Sequence, residues 1–173
     1  PVIDPQQLIL DNEAKKEAER IAKGYWDDYY DAIDEGYQRM LFEPSADGTS
    51  NSGQRTYLYE NGQVGIKENY KNGKKDGKRT TWNLSGEKKS EVNYKDDKKE
   101  GKETAWFQSG EIQLEINYKV GKREGNHTTW YKSGQKMAEK NYKNGKLEGK
   151  STTWHENGQI KSETSYKEGK KFN

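Results

Sequence analysis

Apolar and polar residues alternate along much of the chain after residue 52, and this alternation predicts β-strands. In the clearest stretch, polar residues separate four apolar ones at every second position: Ile112, Leu114, Ile116 and Tyr118. A period of two places one set of side chains on one face of a strand, so each such strand is half-buried. A second kind of stretch, Thr80-Thr81-Trp82, combines β-branched and aromatic residues that favour a pleated sheet.

The strand patterns recur with a step of 24 residues. One glycine ladder comprises Gly62, Gly86, Gly110, Gly134 and Gly158, and a second comprises Gly53, Gly77, Gly101, Gly125 and Gly149. The aromatic ladders comprise Tyr70, Tyr94, Tyr118, Tyr142 and Tyr166, and Leu58, Trp82, Trp106, Trp130 and Trp154. A fixed period of this length is the signature of a repeat architecture. We predict a mainly β protein in which residues 53–173 form a single-layer antiparallel meander of five β-hairpins, or ten strands.

The turn inside each hairpin can be predicted from which side chains it brings to the same face. A three-residue loop at residues 84–86 pairs Trp82 with Lys88 and places Trp82 beside Val92 and Tyr94 on one apolar face. A two-residue loop would put Trp82 on the polar face instead. We therefore predict a type I turn followed by a left-handed glycine in all five hairpins. The connection between successive hairpins, first at residues 71–76, is predicted to be a longer polar loop.

The composition favours a thin structure over a two-layer core. Only 28% of the residues are hydrophobic and 35% are charged, whereas ordinary globular domains are nearer half apolar. Disorder is the other interpretation of such polarity, but aromatic residues reach 12% and are regularly spaced. In a one-layer sheet the aromatic ladders are either the only core or also an exposed recognition surface. The candidate partner-binding residues are Trp82, Trp106, Trp130, Trp154, Tyr94, Tyr118, Tyr142 and Tyr166.

Residues 1–44 have a different pattern. Apolar residues from Ala14 to Met40 recur at helical spacing, and Asp4-Pro5 is a typical helix start. We predict a helix from Pro5 to Phe42, or a helical pair divided at Gly24, and a linker over residues 45–52. Five acidic residues near its C-terminal end form a second set of candidate partner-binding residues: Asp27, Asp28, Asp31, Asp34 and Glu35. The segment either caps the first repeat, whose edge needs shielding, or binds a partner.

Charge is divided unevenly along the chain. Residues 1–47 carry 12 acidic and 5 basic residues, whereas residues 48–173 carry 17 acidic and 26 basic ones. Two lysine ladders fall near the connections between hairpins: Lys71, Lys95, Lys119, Lys143 and Lys167, and Lys74, Lys98, Lys122, Lys146 and Lys170. They either bind nucleic acid or an anionic membrane surface, or protect the strand edges and keep the protein in solution.

Residues typical of catalysis are sparse. The chain has no cysteine and two histidines, His127 and His155, which fall at different positions of the repeat. A register-matched row of glutamates, Glu91, Glu115, Glu139 and Glu163, is more typical of a solvated face that pairs with lysines than of acid–base catalysis. The glycines are turn glycines rather than part of a phosphate-binding loop. We expect a non-enzyme without metal, cofactor or small-molecule substrate.

Several stretches resemble a known family. Glu60-Asn61-Gly62-Gln63, Tyr70-Lys71-Asn72-Gly73-Lys74, Tyr142-Lys143-Asn144-Gly145-Lys146 and Glu156-Asn157-Gly158-Gln159 resemble the MORN-repeat variant, and within it the bacterial YwqK-like antitoxin group. The resemblance covers about residues 53–172 and implies a single-layer hairpin array with an antitoxin or immunity role. The sequence departs from the pattern at Leu58 and Lys67 of the first repeat and at Asp97 of the second.

These observations lead to one functional hypothesis and two alternatives. The first is a non-catalytic protein-binding repeat protein, most concretely an antitoxin or immunity protein that blocks a toxin or secreted effector. The second is a nucleic-acid or anionic-membrane binder that uses the lysine ladders, and the third is a structural scaffold. No stretch is long and apolar enough to span a membrane. The compartment stays open, with a bacterial cytoplasm or periplasm implied by the resemblance.

Overall fold

The computed structural model describes residues 37–44 and 51–172. All regular elements within these ranges are β-strands, and they form a single antiparallel sheet. The helix predicted over residues 5–36, its acidic residues 27–35 and most of the predicted linker lie outside the described residues. No helix able to span a membrane occurs in the described ranges.

The strands follow one another in the sheet in the order of the sequence. The sheet begins with β1 (Tyr37–Pro44), and the first hairpin is β2 (Gly53–Tyr59) with β3 (Val64–Lys71). The next three hairpins are β4 (Lys74–Trp82) with β5 (Lys88–Lys95), β6 (Lys98–Trp106) with β7 (Ile112–Lys119), and β8 (Lys122–Trp130) with β9 (Lys136–Lys143). The fifth combines β10 (Lys146–Leu147) and β11 (Gly149–Trp154) with β12 (Ile160–Lys167), and β13 (Lys170–Phe172) ends the sheet. The predicted single-layer meander of five hairpins is confirmed.

The helix predicted to reach Phe42 is wrong for residues 37–42, because β1 spans Tyr37–Pro44. This strand pairs antiparallel with β2, from Tyr37 opposite Tyr59 to Pro44 opposite Gly53. Of the apolar residues that suggested a helix, only Tyr37 and Met40 fall in this strand, and two positions are too few to distinguish a helix from a strand. Met40 and Phe42, two residues apart, lie opposite Tyr57 and Arg55. Without β1, the outer side of β2 would expose a row of unpaired backbone groups. The sequence of residues 37–44 alone does not show that this pairing partner is available.

The predicted hairpin turn is present in all five repeats. In the second repeat the amide of Gly86 donates to the carbonyl of Asn83 at 2.9 Å, and the amide of Asn83 donates to the carbonyl of Glu87 at 2.8 Å. Gly86 has a φ of +93°, which glycine adopts without the penalty of a side chain. Trp82 lies opposite Lys88 as predicted.

The predicted common face for tryptophans and tyrosines is wrong. After the pair of Trp82 and Lys88, the next pair is Thr81 with Ser90, so Lys89 is an extra residue in a β-bulge. One extra residue inverts the alternation beyond it. Val92 therefore lies opposite Arg79, on the face that Trp82 does not share.

The sheet thus has two chemically different faces. The tyrosine face carries Tyr70, Tyr94, Tyr118, Tyr142 and Tyr166 together with Val92 and Ile116, and the tryptophan face carries Trp82, Trp106, Trp130 and Trp154 together with the row of glutamates. The buried hydrophobic residues all lie on the tyrosine face: Tyr57, Ile66, Tyr70, Val92, Ile116 and Tyr142. The core is a single file of side chains along one side of the sheet.

The connection between hairpins is shorter than predicted. Lys71 lies directly opposite Lys74, which leaves a two-residue loop of Asn72 and Gly73 with φ values of +51° and +77°. Two successive positive φ values are those of a type I′ turn, whose twist matches that of the flanking strands. The predicted longer loop is wrong because residues 74–76 already belong to β4.

Candidate functional site

On the tyrosine face each of four tyrosine rings lies near a cation. The guanidinium carbon of Arg55 lies 4.0 Å from the ring centre of Tyr70, and that of Arg123 lies 5.3 Å from the ring centre of Tyr142. The ammonium groups of Lys75 and Lys99 lie 5.9 and 4.9 Å from the rings of Tyr94 and Tyr118. Contacts within about 6 Å are attractive because the ring face is negative. The face is therefore both aromatic and cationic.

The second glycine ladder lies opposite the tyrosines in the register. Gly77 is paired with Tyr94, and Gly101 is paired with Tyr118. These two glycines have φ values of +106° and +77°, a conformation that favours glycine because it has no side chain to clash with the backbone. A Cβ at Gly101 would meet no other atom within 4 Å, so the backbone conformation explains the glycine and space for a ring does not.

A buried carboxylate organises the tyrosine face in the first repeat. Glu68 is only 4% exposed, and it accepts hydrogen bonds from the Tyr70 hydroxyl at 3.0 Å and from Arg79 Nε at 3.2 Å. Lys75 Nζ lies 3.0 Å from the same carboxylate. Burial, and then the nearby charge of Glu68, raise the pKa of Tyr70 to about 12. The three partners satisfy the carboxylate at this depth, so Glu68 has a structural role in the sheet.

The tryptophan face is lined by ion pairs. Lys78 Nζ lies 2.8 Å from Glu91, Lys150 Nζ lies 2.7 Å from Glu163, and Lys102 pairs with Glu115. The pKa of Glu91 lies below its usual range because Lys78 and Lys88 donate to its carboxylate. The glutamate row therefore pairs with lysines, as the sequence predicted.

Lysines also lie against the tryptophan rings. Lys88 Nζ is 5.3 Å from the ring centre of Trp106, and Lys136 Nζ is 6.0 Å from that of Trp154. The four tryptophans of the ladder are half-buried. Lysine side chains of the same sheet lie over at least two of these rings, so the tryptophans are less accessible than an open aromatic row.

The type I′ turns lie along one side of the sheet, at the ends of the strands, and carry the two lysine ladders. The ladders pair directly across the turns: Lys71 with Lys74, Lys95 with Lys98, Lys119 with Lys122, Lys143 with Lys146, and Lys167 with Lys170. In the first two turns, Lys74 and Lys95 lie 3.9 and 2.7 Å from Asp96 and Asp76. Within the described ranges, the lysines of the last three turns have no carboxylate within 4.0 Å.

Acidic residues connect the later turns to the preceding hairpin. The backbone amides of Val120 and Asn144 donate to the carboxylates of Glu100 and Glu124, each at 2.7 Å. The amide of Gly145 also donates to the carbonyl of Arg123 at 2.8 Å. Sequence reasoning missed this role, although the signal was present: an acidic residue precedes every glycine of the second ladder from Gly77 onwards.

An apolar groove lies at the opposite ends of the strands, near the hairpin loops of the third and fourth repeats. Ala105, Leu114 and Thr129 contribute from the tyrosine face, and the groove encloses about 500 Å³. The remaining lining residues come from the loop-side ends of the strands: Phe107, Gln113, Trp130, Tyr131, Lys132 and Met137. Met137 is 39% exposed. The groove combines a concave shape with an apolar lining, which is typical of sites that receive a partner's side chains.

The two histidines lie in different environments. His127 is half-buried beside Tyr142, with 5.8 Å between ring centres, and neither of its ring nitrogens has a hydrogen-bond partner among the described residues. Burial, followed by the charges of Arg123 and Lys140, lowers its pKa. His155 is exposed at a loop. Residues 37–44 and 51–172 contain no cluster of three or more potential metal ligands.

The structure separates the predicted site residues into three groups. The tryptophans lie on one face, the tyrosines lie on the other, and the acidic residues at positions 27–35 lie outside the described ranges. Their roles in binding stay predictions. The groove was not predicted, because it forms from residues of four strands whose faces depend on the bulges.

The profile of the MORN repeat variant family matches residues 52–72, 75–96, 99–119, 123–144 and 147–168. The five matched segments coincide with the five hairpins and cover more than half of the chain. The comparison with curated proteins found no match.

Proposed function

Because the chain belongs to the MORN repeat variant family, whose repeats often serve in protein or membrane binding, we propose that it is a non-enzymatic protein-binding scaffold. The observation that carries this proposal is the apolar groove. A sheet with no second described layer over it leaves the groove accessible, and exposed concave apolar surface marks interaction sites. Leu114 and Phe107, both half-buried, provide its apolar lining.

More specifically, we propose that the partner is a toxin or secreted effector, and that binding blocks its activity. Support for this role comes from the resemblance of the repeat motifs to antitoxin and immunity proteins. The groove is built on four hydrogen-bonded strands, and a backbone that is ordered before binding loses little conformational entropy on binding. The chain would act by occlusion and would catalyse no reaction on the partner.

The test uses the protein encoded beside this chain's gene as the candidate partner. Isothermal titration calorimetry should give a dissociation constant below 1 µM for the full chain, on the order of affinities seen for specific complexes. Co-expression should restore growth of cells that carry the candidate toxin. Failure of both measurements would remove the toxin-blocking role.

The groove itself is tested with a matched pair of variants. Met137→Glu places a charge in the groove, and Ile160→Glu places one at an exposed apolar position outside it; the two wild-type side chains are 39% and 58% exposed. We expect Met137→Glu to weaken binding at least tenfold, the order of a 1.4 kcal/mol loss, and Ile160→Glu to change it less than twofold. The reverse ranking would show that the partner binds elsewhere.

A second candidate function rests on the lysine turns. Like charges placed directly opposite one another destabilise a sheet, yet five lysine pairs flank the turns on one side of this sheet. An anionic surface, either nucleic acid or membrane, would relieve this repulsion. Binding to duplex DNA, single-stranded RNA or anionic vesicles would then fall steeply with salt.

The role of the lysine turns can be tested against a control set of lysines in the same chain. Replacing Lys119, Lys122 and Lys143 with glutamine should abolish such binding. Replacing Lys78, Lys102 and Lys150, which already pair with glutamates, should have a smaller effect. No binding by the wild-type chain at low salt would remove this function.

A further inference from the structure

The tyrosine face of the fourth repeat carries three basic side chains without an acidic partner, which form the basic cluster. Arg123 lies opposite Tyr118, and His127 lies opposite Lys140, so all three are on this face. Among the described residues, no carboxylate lies within 4.0 Å of any of them. Burial, and then the charges of Arg123 and Lys140, lower the pKa of His127, so the three groups interact.

The equivalent group in the first two repeats contains its own acid. There, Lys75 and Arg79 both pair with Glu68. A step of 48 residues leads from these two cations to the arginine and the histidine of the basic cluster, and from the acid to Ile116. Glu103, whose charge also acts on the histidine, is already paired with a lysine at 2.7 Å. The basic cluster therefore keeps the cations of this arrangement and lacks the anion.

Buried polar atoms without partners lie in the same strand. Both ring nitrogens of His127 and the hydroxyl oxygen of Thr129 are buried and have no hydrogen-bond partner among the described residues. In the second and fifth repeats, the equivalent threonine hydroxyl lies 2.6 Å from a serine hydroxyl across the strands. Thr129 instead lies opposite Leu114 and Ala138. Buried polar groups that lack a partner are costly, so β8 has unused hydrogen-bonding capacity on this face.

These groups share one kind of ligand. Arginine and lysine have only hydrogen-bond donors, a neutral histidine has one N–H, and a threonine hydroxyl can donate. Rotation about χ1 turns the histidine and threonine atoms towards an occupant. A carboxylate accepts several hydrogen bonds and supplies the negative charge that the basic cluster lacks. The site therefore matches an acidic group better than a cationic or apolar one.

The basic cluster adjoins the apolar groove. Thr129 belongs to the lining of the groove and lies two residues from His127 along β8, roughly 7 Å at 3.3 Å per residue. Side chains two positions apart in an extended segment point to the same side and are separated by the same distance. An extended segment that places an apolar side chain in the groove can therefore place an acidic one on the basic cluster.

We propose that the basic cluster and Thr129 bind a carboxylate of the partner protein beside the apolar groove. Arg123 and Lys140 supply the positive charge, and His127 and Thr129 donate hydrogen bonds. The partner segment is extended, with an acidic residue two positions from the apolar residue that enters the groove. This inference rests on the proposed function and adds to it the chemistry of the partner.

The probe is an acetylated and amidated pentapeptide, Glu-Ser-Leu-Ser-Glu, which has a carboxylate two positions to each side of its apolar residue. The matched control peptide has glutamine in place of both glutamates. Nuclear magnetic resonance titration of the isotope-labelled full chain at low salt gives both dissociation constants. We expect the acidic peptide to bind at least fivefold more tightly and to shift the amide signals of Leu114, His127 and Thr129.

Two pairs of variants assign the binding to these side chains. Lys140→Gln should remove most of the preference for the acidic peptide, whereas Lys150→Gln, which removes the same charge from a lysine paired with Glu163, should retain it. Thr129→Ala should reduce the preference at least twofold. Thr153→Ala, at the equivalent hydroxyl that already has a serine partner, should leave it unchanged.

Three outcomes would overturn the proposal. These are equal affinity for the two peptides, equal effects of Lys140→Gln and Lys150→Gln, and shifts at the basic cluster with inorganic phosphate but not with the acidic peptide. The last result would assign the site to a free anion. The titration needs no partner protein, so its failure leaves the test of toxin blocking unaffected, and a chain that binds the peptide can still fail that test.

Discussion

At the scale of single residues, the turns between hairpins show where the sequence conflicts with the backbone. Asn72 and Asn144 occupy the first position of their type I′ turns with φ values of +51°, a conformation that asparagine tolerates. Val120 occupies the same position with φ +49°. A β-branched residue is strained there, and because Val120 is 57% exposed, no burial offsets the strain.

The variant Val120→Asn should therefore be more stable than the wild type. Left-handed backbone costs an ordinary L-residue about 1–2 kcal/mol, so we expect the free energy of unfolding to rise by about 1 kcal/mol. Urea denaturation measures the change. The reciprocal variant Asn144→Val should lower stability by a similar amount, and a gain in that variant would contradict the explanation.

His127 should make stability depend on pH. Its pKa in the folded protein lies below the ordinary value of 6.5, chiefly because of burial; Arg123 and Lys140 add to the shift, whereas Glu103 opposes it. As pH falls from 6.5 towards the folded pKa, the unfolded chain binds a proton that the folded protein does not. The free energy of unfolding therefore falls through this window and is constant below it.

Thermal or urea unfolding between pH 7.5 and 5.5 checks this expectation. His127→Gln should reduce the slope, while His155→Gln, at an exposed loop, should leave it unchanged. An equal effect of both variants would assign the slope to other groups.

At the scale of the element, the acidic residue that precedes each glycine of the second ladder from Gly77 onwards holds neighbouring hairpins together. Glu124 accepts a hydrogen bond from the amide of Asn144 in the next turn. Hydrogen bonds to charged groups contribute about 1.5–3 kcal/mol, and partial exposure at this edge reduces that range. We expect Glu124→Ala to lower the free energy of unfolding by about 1 kcal/mol.

The control for this prediction is Glu156→Ala, at an exposed loop position. It should change stability by less than about 0.5 kcal/mol. Amide exchange gives a local readout, because the amide of Asn144 should exchange faster in Glu124→Ala than in the control.

The same scale shows what the sequence can and cannot predict. The period, the hairpins and the turn at Gly86 follow from local patterns of glycine and alternating residues. The face on which Trp82 lies does not follow from these patterns. The bulge at Lys89 adds one residue in a stretch whose side chains are all exposed. A slip of one residue moves every later side chain to the other face. The groove depends on this detail in two hairpins at once, so it was visible only in three dimensions.

At the scale of the whole molecule, the sheet is a linear array with a thin core. Each hairpin contacts its immediate neighbours, so its stability depends on them. Each of the first four repeats has a buried hydrophobic residue on the tyrosine face, for example Tyr70, Val92, Ile116 and Tyr142, whereas Tyr166 of the fifth is half-exposed. The array should therefore open from its C-terminal end.

Hydrogen exchange followed by mass spectrometry tests this order. Protection should be highest in β3 and β4 and lowest in β12 and β13, because local opening follows the burial of backbone hydrogen bonds. Uniform protection across the five repeats would show that the array unfolds as one unit.

The turn-to-hairpin hydrogen bonds have a consequence for the size of the molecule. Each turn glycine amide, as in Gly145 to Arg123, contacts a carbonyl 22 positions earlier and none further back. Duplicating a 24-residue unit would therefore add two strands, roughly 10 Å of width. Every tyrosine would stay opposite its glycine in the register. Removing 12 residues instead would delete one strand, so that all later strands would run in the opposite direction. Duplications and deletions within the gene can thus change the length of this protein only by whole hairpins.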